Sequence, residues 1–443
     1  MNLRAVSRRI AARLPMRRNS FVSGLAVLTS ASLLQNLITF ASAPVVARLF
    51  SPAEFGIAGL IQALGAVPVL MASGQYYLAI GIARSRSESV NLACLSIGLA
   101  PLCALLALPV TVYLQERPNL LPPMLEGVAG YLWTIPAFMV TASWLFVTRL
   151  WEIRFAHYRP LVLNRLIESG VMAGSQIGLG LAGIGPLGLI AGRWLGTAAA
   201  ALHGLRLVIA QLGVGGLRVI QLRRMRALAR RHWQFPAYQL PAQAVGELGR
   251  QLTPLLLGFY YSLTAVGFYW FAHRLLERPA IVFGSNIGRV FYQHAADRRK
   301  EGRPVSRLYW RSVGVLGATC IVPFGVVILF GPALFAWVFG TEWERAGHFA
   351  RWIALANFTF LIGFPARGAT ALFDLQRSYA VVETLRAATS ALAIVLVART
   401  GGSELTAVGI AAMSQSLIAL GYVAFAGMCL LRFDRRRARS PGA

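Results

Sequence analysis

Lysine is almost missing from this chain: of 43 basic residues only Lys300 is a lysine. No G-x-x-x-x-G-K-[ST] loop occurs either, which argues against ATP-driven chemistry by this polypeptide. Acidic residues number 16, and charged residues together make up 13%, against about 25% in a typical soluble domain. Cysteine is scarce and unpatterned. Cys94, Cys103, Cys320 and Cys429 fall inside apolar stretches with no C-x-x-C spacing, as buried thiols do. There is no H-E-x-x-H, no paired Cys/His ligand set and no G-x-S-x-G, so no metal, cofactor or nucleophilic triad is expected. The histidines (157, 203, 232, 273, 294, 348) are dispersed, and only His273 sits deep in an apolar stretch.

What is abundant is apolar residues, at 56%. A helix needs about 20 of them to cross the hydrocarbon core. Twelve stretches qualify, near 21–46, 55–81, 90–114, 128–148, 161–183, 187–211, 235–259, 264–293, 306–330, 348–372, 379–398 and 405–431. No loop between them is long enough for a soluble domain. The chain reads as one all-α, polytopic membrane unit.

Arginine sits at alternate junctions. The N-terminus, Arg84–Arg86, Arg149–Arg159, Arg218–Arg231, Arg298–Arg307, Arg377 and Arg432–Arg439 together hold about 28 basic residues. The intervening set (Arg48, Arg117, Arg345, Arg399) holds about 4. Basic residues concentrate on cytoplasmic flanks, so both termini are expected in the cytoplasm and the span count is even. That also accounts for the net charge of +27 without invoking nucleic acid. Ala41-Ser42-Ala43 resembles a leader-peptide cleavage site, but Pro44 would follow the cut and the apolar run is too long. It reads as the first span.

The basic loop after Gly213 divides six spans from six. The expected organisation is a basic cytoplasmic segment 1–20, an N-lobe 21–211, a linker 212–234, a C-lobe 235–431 and a basic tail 432–443. Sliding the chain by 211 positions aligns Phe50-Ser51 with Tyr261-Ser262, Gly56 with Gly267 and Pro68 with Pro279. This predicts a parallel repeat, two lobes related by an axis along the membrane normal with a cavity between them. Gly170, Gly174 and Gly178 on span 5, and Gly192 and Gly196 on span 6, have the four-residue spacing of close helix packing. Pro236, Pro241 and Pro254 are expected to bend span 7.

Ionisable groups at membrane depth cost about 2.5–3.5 kcal/mol each when they face lipid, so they normally face protein or water. Span 8 carries His273, Arg274, Glu277, Arg278 and Arg289. At 100° per residue Arg278 and Arg289 share a face, with Arg274 one turn from Arg278. Span 7 adds Gln239, Gln243 and Arg250 with Glu247 beside them. Span 1 offers Thr29, Ser32, Gln35, Asn36 and Thr39, and Arg193 lies on span 6. Acidic groups at depth are Glu168, Glu247, Glu277 and Glu383. Two readings stand. Local pairing would match Glu277 with His273 or Arg274, Glu247 with Arg250 and Glu383 with Arg386, while Arg289, Arg367 and Arg386 could snorkel. Alternatively, surplus cations in a cavity attract an anion, and the guanidinium fork suits phosphate. On the second reading Arg250 and Arg278 lead the substrate-binding set, with Arg274, Arg289, Gln243, Asn36 and Arg193. His273, Glu247 and Glu277 are then candidates for proton or ion coupling.

Several stretches resemble the oligosaccharide flippases (Wzx-type) of the MOP exporter superfamily. Val45-Val46-Ala47-Arg48-Leu49-Phe50-Ser51-Pro52-Ala53-Glu54-Phe55-Gly56 is similar to that family's turn between its first two spans. Tyr76-Tyr77-Leu78-Ala79-Ile80 then leads to Ala83-Arg84-Ser85-Arg86. Phe339-Gly340-Thr341-Glu342-Trp343-Glu344-Arg345-Ala346-Gly347 is similar to its G-x-x-W-x-x-A-G, and Leu372-Phe373-Asp374-Leu375-Gln376-Arg377 to the turn after span 10. The resemblance implies a bacterial inner-membrane flippase, not an enzyme. Its substrate would be a polyprenyl-diphosphate-linked oligosaccharide for O-antigen, exopolysaccharide or capsule synthesis. Partners would be the lipid carrier, membrane lipids and other polysaccharide-assembly proteins. Exporters of drugs or of a peptidoglycan precursor in the same superfamily are the alternative, although span 1 lacks an acidic cation ligand. A membrane polymerase or ligase is a third reading, disfavoured by short, nearly uncharged outer loops.

Overall fold

The structure, a computed structural model, describes residues 21–122 and 125–439, leaving aside the side chains of 21–31, 214–215, 217, 278–280, 282–283, 285–286 and 438–439. Among the described residues it is helical throughout, with no strand. The twelve expected spans all appear as helices: α1 (Phe21–Leu49), α2 (Pro52–Met71), α3 (Arg86–Glu116), α4 (Thr134–Arg154), α5 (Tyr158–Leu181), α6 (Pro186–Leu217), α7 (Leu240–Tyr260), α8 (Leu263–Lys300), α9 (Ser306–Phe339), α10 (Glu344–Ile362), α11 (Gln376–Arg399) and α12 (Glu404–Arg439). Seven helical stretches among the described residues are long and apolar enough to cross a membrane. A short basic helix, Leu222–Arg231, joins α6 to the second half.

Two spans are broken. After Met71 the chain turns through Gln75, which has a left-handed φ of 60°, and continues as a 3₁₀ turn, Tyr76–Ile82. The tenth span stops at Ile362 and restarts at Phe364–Leu372, with Pro365 in its first turn, where its missing N–H costs nothing. Of the prolines expected to bend span 7, Pro236 lies in a π turn, Phe235–Gln239, ahead of α7, Pro241 begins α7, and Pro254 lies inside it.

Packing inside each half follows one plan. The first helix of a half packs on the fifth, the second on the fourth, the third on the fourth, and both fourth and fifth on the sixth. The halves meet where α2 lies against α8 and α7. This seam lies at the end of the bundle opposite the linker helix, and it obeys the 211-residue register. A Cβ on Gly56 would meet the Leu263 carbonyl oxygen at 1.8 Å, and one on Gly267 would meet that of Pro52 at 1.7 Å. Pro52 and Leu263 are themselves 211 apart, so the contact is reciprocal, as across a two-fold axis. The register also repeats the cap. Ser51 Oγ accepts from the Glu54 N–H at 3.4 Å, and Ser262 Oγ from the Ala265 N–H at 3.1 Å. Glu54 completes a capping box on the Ser51 N–H at 2.6 Å.

Around this crossing Phe55, Phe271 and Trp343 form an aromatic core with ring centroids 4.2–5.2 Å apart. Close packing of α5 on α6 comes from one side only. Gly192 and Gly196 face the α5 backbone, where a Cβ would lie 2.9 Å from the Gln176 nitrogen and 2.6 Å from the Glu168 carbonyl. Gly170, Gly174 and Gly178 have open space beside them, so the spacing on α5 is not a packing stripe.

Candidate functional site

Below the crossing the halves part around a cavity of about 360 Å³. Its walls are α2 (Ala58 to Leu70), α4 (Ile135 to Arg149), α5 (Glu168, Gln176) and α6 (Leu189 to Thr197). The second half closes it with Glu247 and Gln251 of α7 and Trp270 of α8. Most of the lining is apolar. Its charged members are Arg149, Glu168, Arg193 and Glu247, two of each sign.

Those charges are engaged with neighbours. Arg149 pairs with Glu168, which also accepts from the Gln35 amide of α1 at 3.2 Å. The buried Nε of Arg149 has no protein partner. Arg165, one turn before Glu168, donates to Ser32, so two polar links tie α1 to α5. On the opposite wall Glu247 accepts from Arg250 Nε at 3.1 Å and from the Gln251 amide at 2.8 Å. Each cavity carboxylate thus holds one guanidinium and one primary amide. Such donors are the ones that bind carboxylate and phosphate oxygens interchangeably. Neutral polar groups line the rest. Gln62 Oε1 is buried without a protein partner, Gln176 donates to the Leu189 carbonyl at 3.1 Å, and Thr197 donates to the Arg193 carbonyl at 3.1 Å.

Of the residues singled out in the sequence, Glu168, Arg193 and Glu247 line this cavity. Arg250 reaches it only through Glu247, its own side chain being 65% exposed. Arg274 lies over the Trp270 ring at 5.5 Å and near the Met172 sulfur at 3.9 Å, beside a small void shared with Thr39, Ser42 and Gln176. His273 and Glu277 face each other at 3.5 Å, with His273 stacked on Tyr269. Asn36 and Gln243 are half-buried outside the cavity lining, and Arg289 is exposed. The side chain of Arg278 lies outside the described residues. Arg149, Glu168, Gln62, Gln251 and Trp270 form the part of the site that spacing along single helices did not reveal. The deep position of Glu168 was the one signal in the sequence that pointed to it.

A family model described as "Polysaccharide biosynthesis protein" matches residues 45–347. The chain belongs to that family. Comparison with curated proteins returns no match. Among solved structures, the chain is similar to the lipid II flippase MurJ in an inward closed conformation (12% identity, 90% of this chain and 87% of that one, TM-score 0.68). It is also similar to a multidrug resistance MATE family transporter of the MOP superfamily, inward-facing (11% identity, 92% and 99% covered, TM-score 0.60). The outward-facing form of a MATE family transporter matches at TM-score 0.54 with 14% identity, over 94% of this chain and 98% of that one. At these identities the likeness is one of fold. The family member described here is a multi-pass membrane protein with the helical architecture of MOP-superfamily transporters.

Proposed function

We propose that this protein is a flippase, moving a polyprenyl-diphosphate-linked oligosaccharide across the bacterial inner membrane by alternating access for surface polysaccharide synthesis. The observation that carries this reading is the cavity at the seam of two repeated halves, where Arg149 and Arg193 of the first half face Gln251 and Trp270 of the second in a largely apolar chamber whose carboxylates, Glu168 and Glu247, are both held by arginines. Arginine forks suit the diphosphate. Gln62, Gln176, Gln251 and the Trp270 ring suit sugar hydroxyls and ring faces. The polyprenyl tail stays in lipid between the halves. A volume of about 360 Å³ lies within the range of about 300–1,000 Å³ usual for ligand pockets.

The test is a flipping assay with fluorescent lipid-linked oligosaccharide in vesicles carrying the reconstituted protein. Arg149→Gln should slow flipping at least tenfold while insertion and thermal stability stay near wild type. Unchanged flipping in that variant would remove the site. The similarity to the lipid II flippase favours a second reading, a peptidoglycan-precursor exporter. Rescue of cell-wall synthesis without any effect on surface polysaccharide would decide for it.

A further inference from the structure

The cavity is already occupied, by its own carboxylates. Glu168 takes Arg149 from α4 and Gln35 from α1, and Glu247 takes Arg250 and Gln251 from α7. Both glutamates line the chamber, one on each wall. Each sits in a ring of one guanidinium and one amide, the donor set a phosphate group would use. Arg149 keeps a buried Nε–H that no protein atom accepts, although its neighbour Nη2 is bonded to Glu168. A purely structural ion pair of this burial normally satisfies its donors, because a buried N–H left unpaired costs roughly 1–3 kcal/mol. The pair thus leaves one Arg149 donor unused.

We propose that Glu168, with Glu247 opposite, is an internal counter-anion, which the diphosphate of the carrier must displace from its arginine to bind. This rests on the flippase reading. The consequence is a specificity filter. A group with several negatively charged oxygens can outcompete the carboxylate for Arg149, whereas a neutral glycan or a single carboxylate cannot. It is also a release device. When the chamber turns to the other side, Glu168 returns to Arg149 and expels the headgroup, so affinity stays moderate in both orientations. Because Glu168 also holds Gln35, its displacement loosens α1 from α5, leaving the Arg165–Ser32 link in place.

The role makes a prediction opposite in sign to that of a structural ion pair. Full-length protein in detergent is titrated with inorganic pyrophosphate and with geranyl diphosphate as soluble probes, for wild type, Glu168→Gln, Glu247→Gln and Arg149→Gln. Both glutamine variants keep side-chain shape and one acceptor oxygen while removing the charge, and thermal unfolding checks that each is folded. We expect at least one of Glu168→Gln and Glu247→Gln to bind the diphosphates about tenfold tighter than wild type, yet flip lipid-linked substrate more slowly because release is delayed. Arg149→Gln should bind at least tenfold more weakly. If Arg149→Gln loses binding while neither glutamate variant gains any, the pairs are structural and the counter-anion idea is wrong. If wild type and all three variants ignore both probes, the flippase reading fails along with it.

Discussion

Trp343 is 1% exposed, yet its indole nitrogen donates to the Ala47 carbonyl at 2.9 Å, joining the second half of the chain to the last turn of α1. The carbonyls of a helix's final turn have no donors within the helix, so the indole supplies one. Trp343→Phe keeps an aromatic ring against Phe55 and Phe271 but leaves that buried oxygen without its partner. We expect a loss of about 1–3 kcal/mol, read as a lower thermal midpoint in detergent; an unchanged midpoint would show that the indole acts by packing alone. The sequence marked Trp343 through its G-x-x-W setting but could not name Ala47, 296 positions away. Arg149 is the same lesson in a stronger form. Its place near the end of an apolar run suggested a loop arginine. In the structure α4 continues to Arg154, which puts Arg149 on the cavity wall. Pairs within one helix, such as Glu247 with Arg250 and Glu383 with Arg386, were legible because their spacing is fixed by helix geometry. Pairs between helices depend on rotation about two axes, which no local spacing encodes.

At the scale of elements, apolar run length located all twelve long helices, and seven helical stretches among the described residues are long and apolar enough to cross a membrane. The breaks at 72–75 and at Gly363 were not legible. At the first, Gly74 and Gln75 both take a left-handed φ, inside a run apolar enough to read as unbroken. The repeat was visible as Ser51 with Ser262 and Gly56 with Gly267, but not the fact that these glycines touch each other's helices. That contact gives a sharp expectation. In Gly56→Ala the new methyl would sit 1.8 Å from a backbone oxygen, and backbone on both sides cannot move aside as a flexible side chain can. The α2–α8 crossing should open. Spin labels at Glu54 and Thr264 should report a longer mean distance than in wild type, and flipping should fall at least tenfold because closure at this end is lost. Gly267→Ala should do the same by the reciprocal contact. Leucine-to-alanine changes on exposed positions of α3, such as Leu105 and Leu106, should leave the distance unaltered. An unaltered distance in both glycine variants would mean that the crossing does not govern closure.

Taken as a whole molecule, the two halves share a packing plan but divide the chemistry unequally. Composition put the cations of α7 and α8 in view and drew attention to the second half. The cavity lies off the axis, with most of its wall from α2, α4, α5 and α6, and the second half adds Glu247, Gln251 and Trp270. The surface is unequal too. The linker helix carries Arg223, Arg224, Arg226, Arg230 and Arg231, and it lies at the same end as Arg84, Arg86, Arg298 and Arg299. The opposite end, where α2 crosses α8, has few basic groups. With about 28 basic residues on one set of junctions and about 4 on the other, the insertion bias runs strongly one way. The linker end should face the cytoplasm, so that the reciprocal glycine contact closes the outer side and the cavity loads from within. Single cysteines placed by Ala227→Cys on the linker helix and Thr341→Cys at the far end, with the four native thiols replaced, test this directly. An impermeant maleimide should label the Thr341 variant in intact cells and the Ala227 variant only after permeabilisation. The reverse pattern would place the linker end outside and overturn the orientation expected from the arginine distribution.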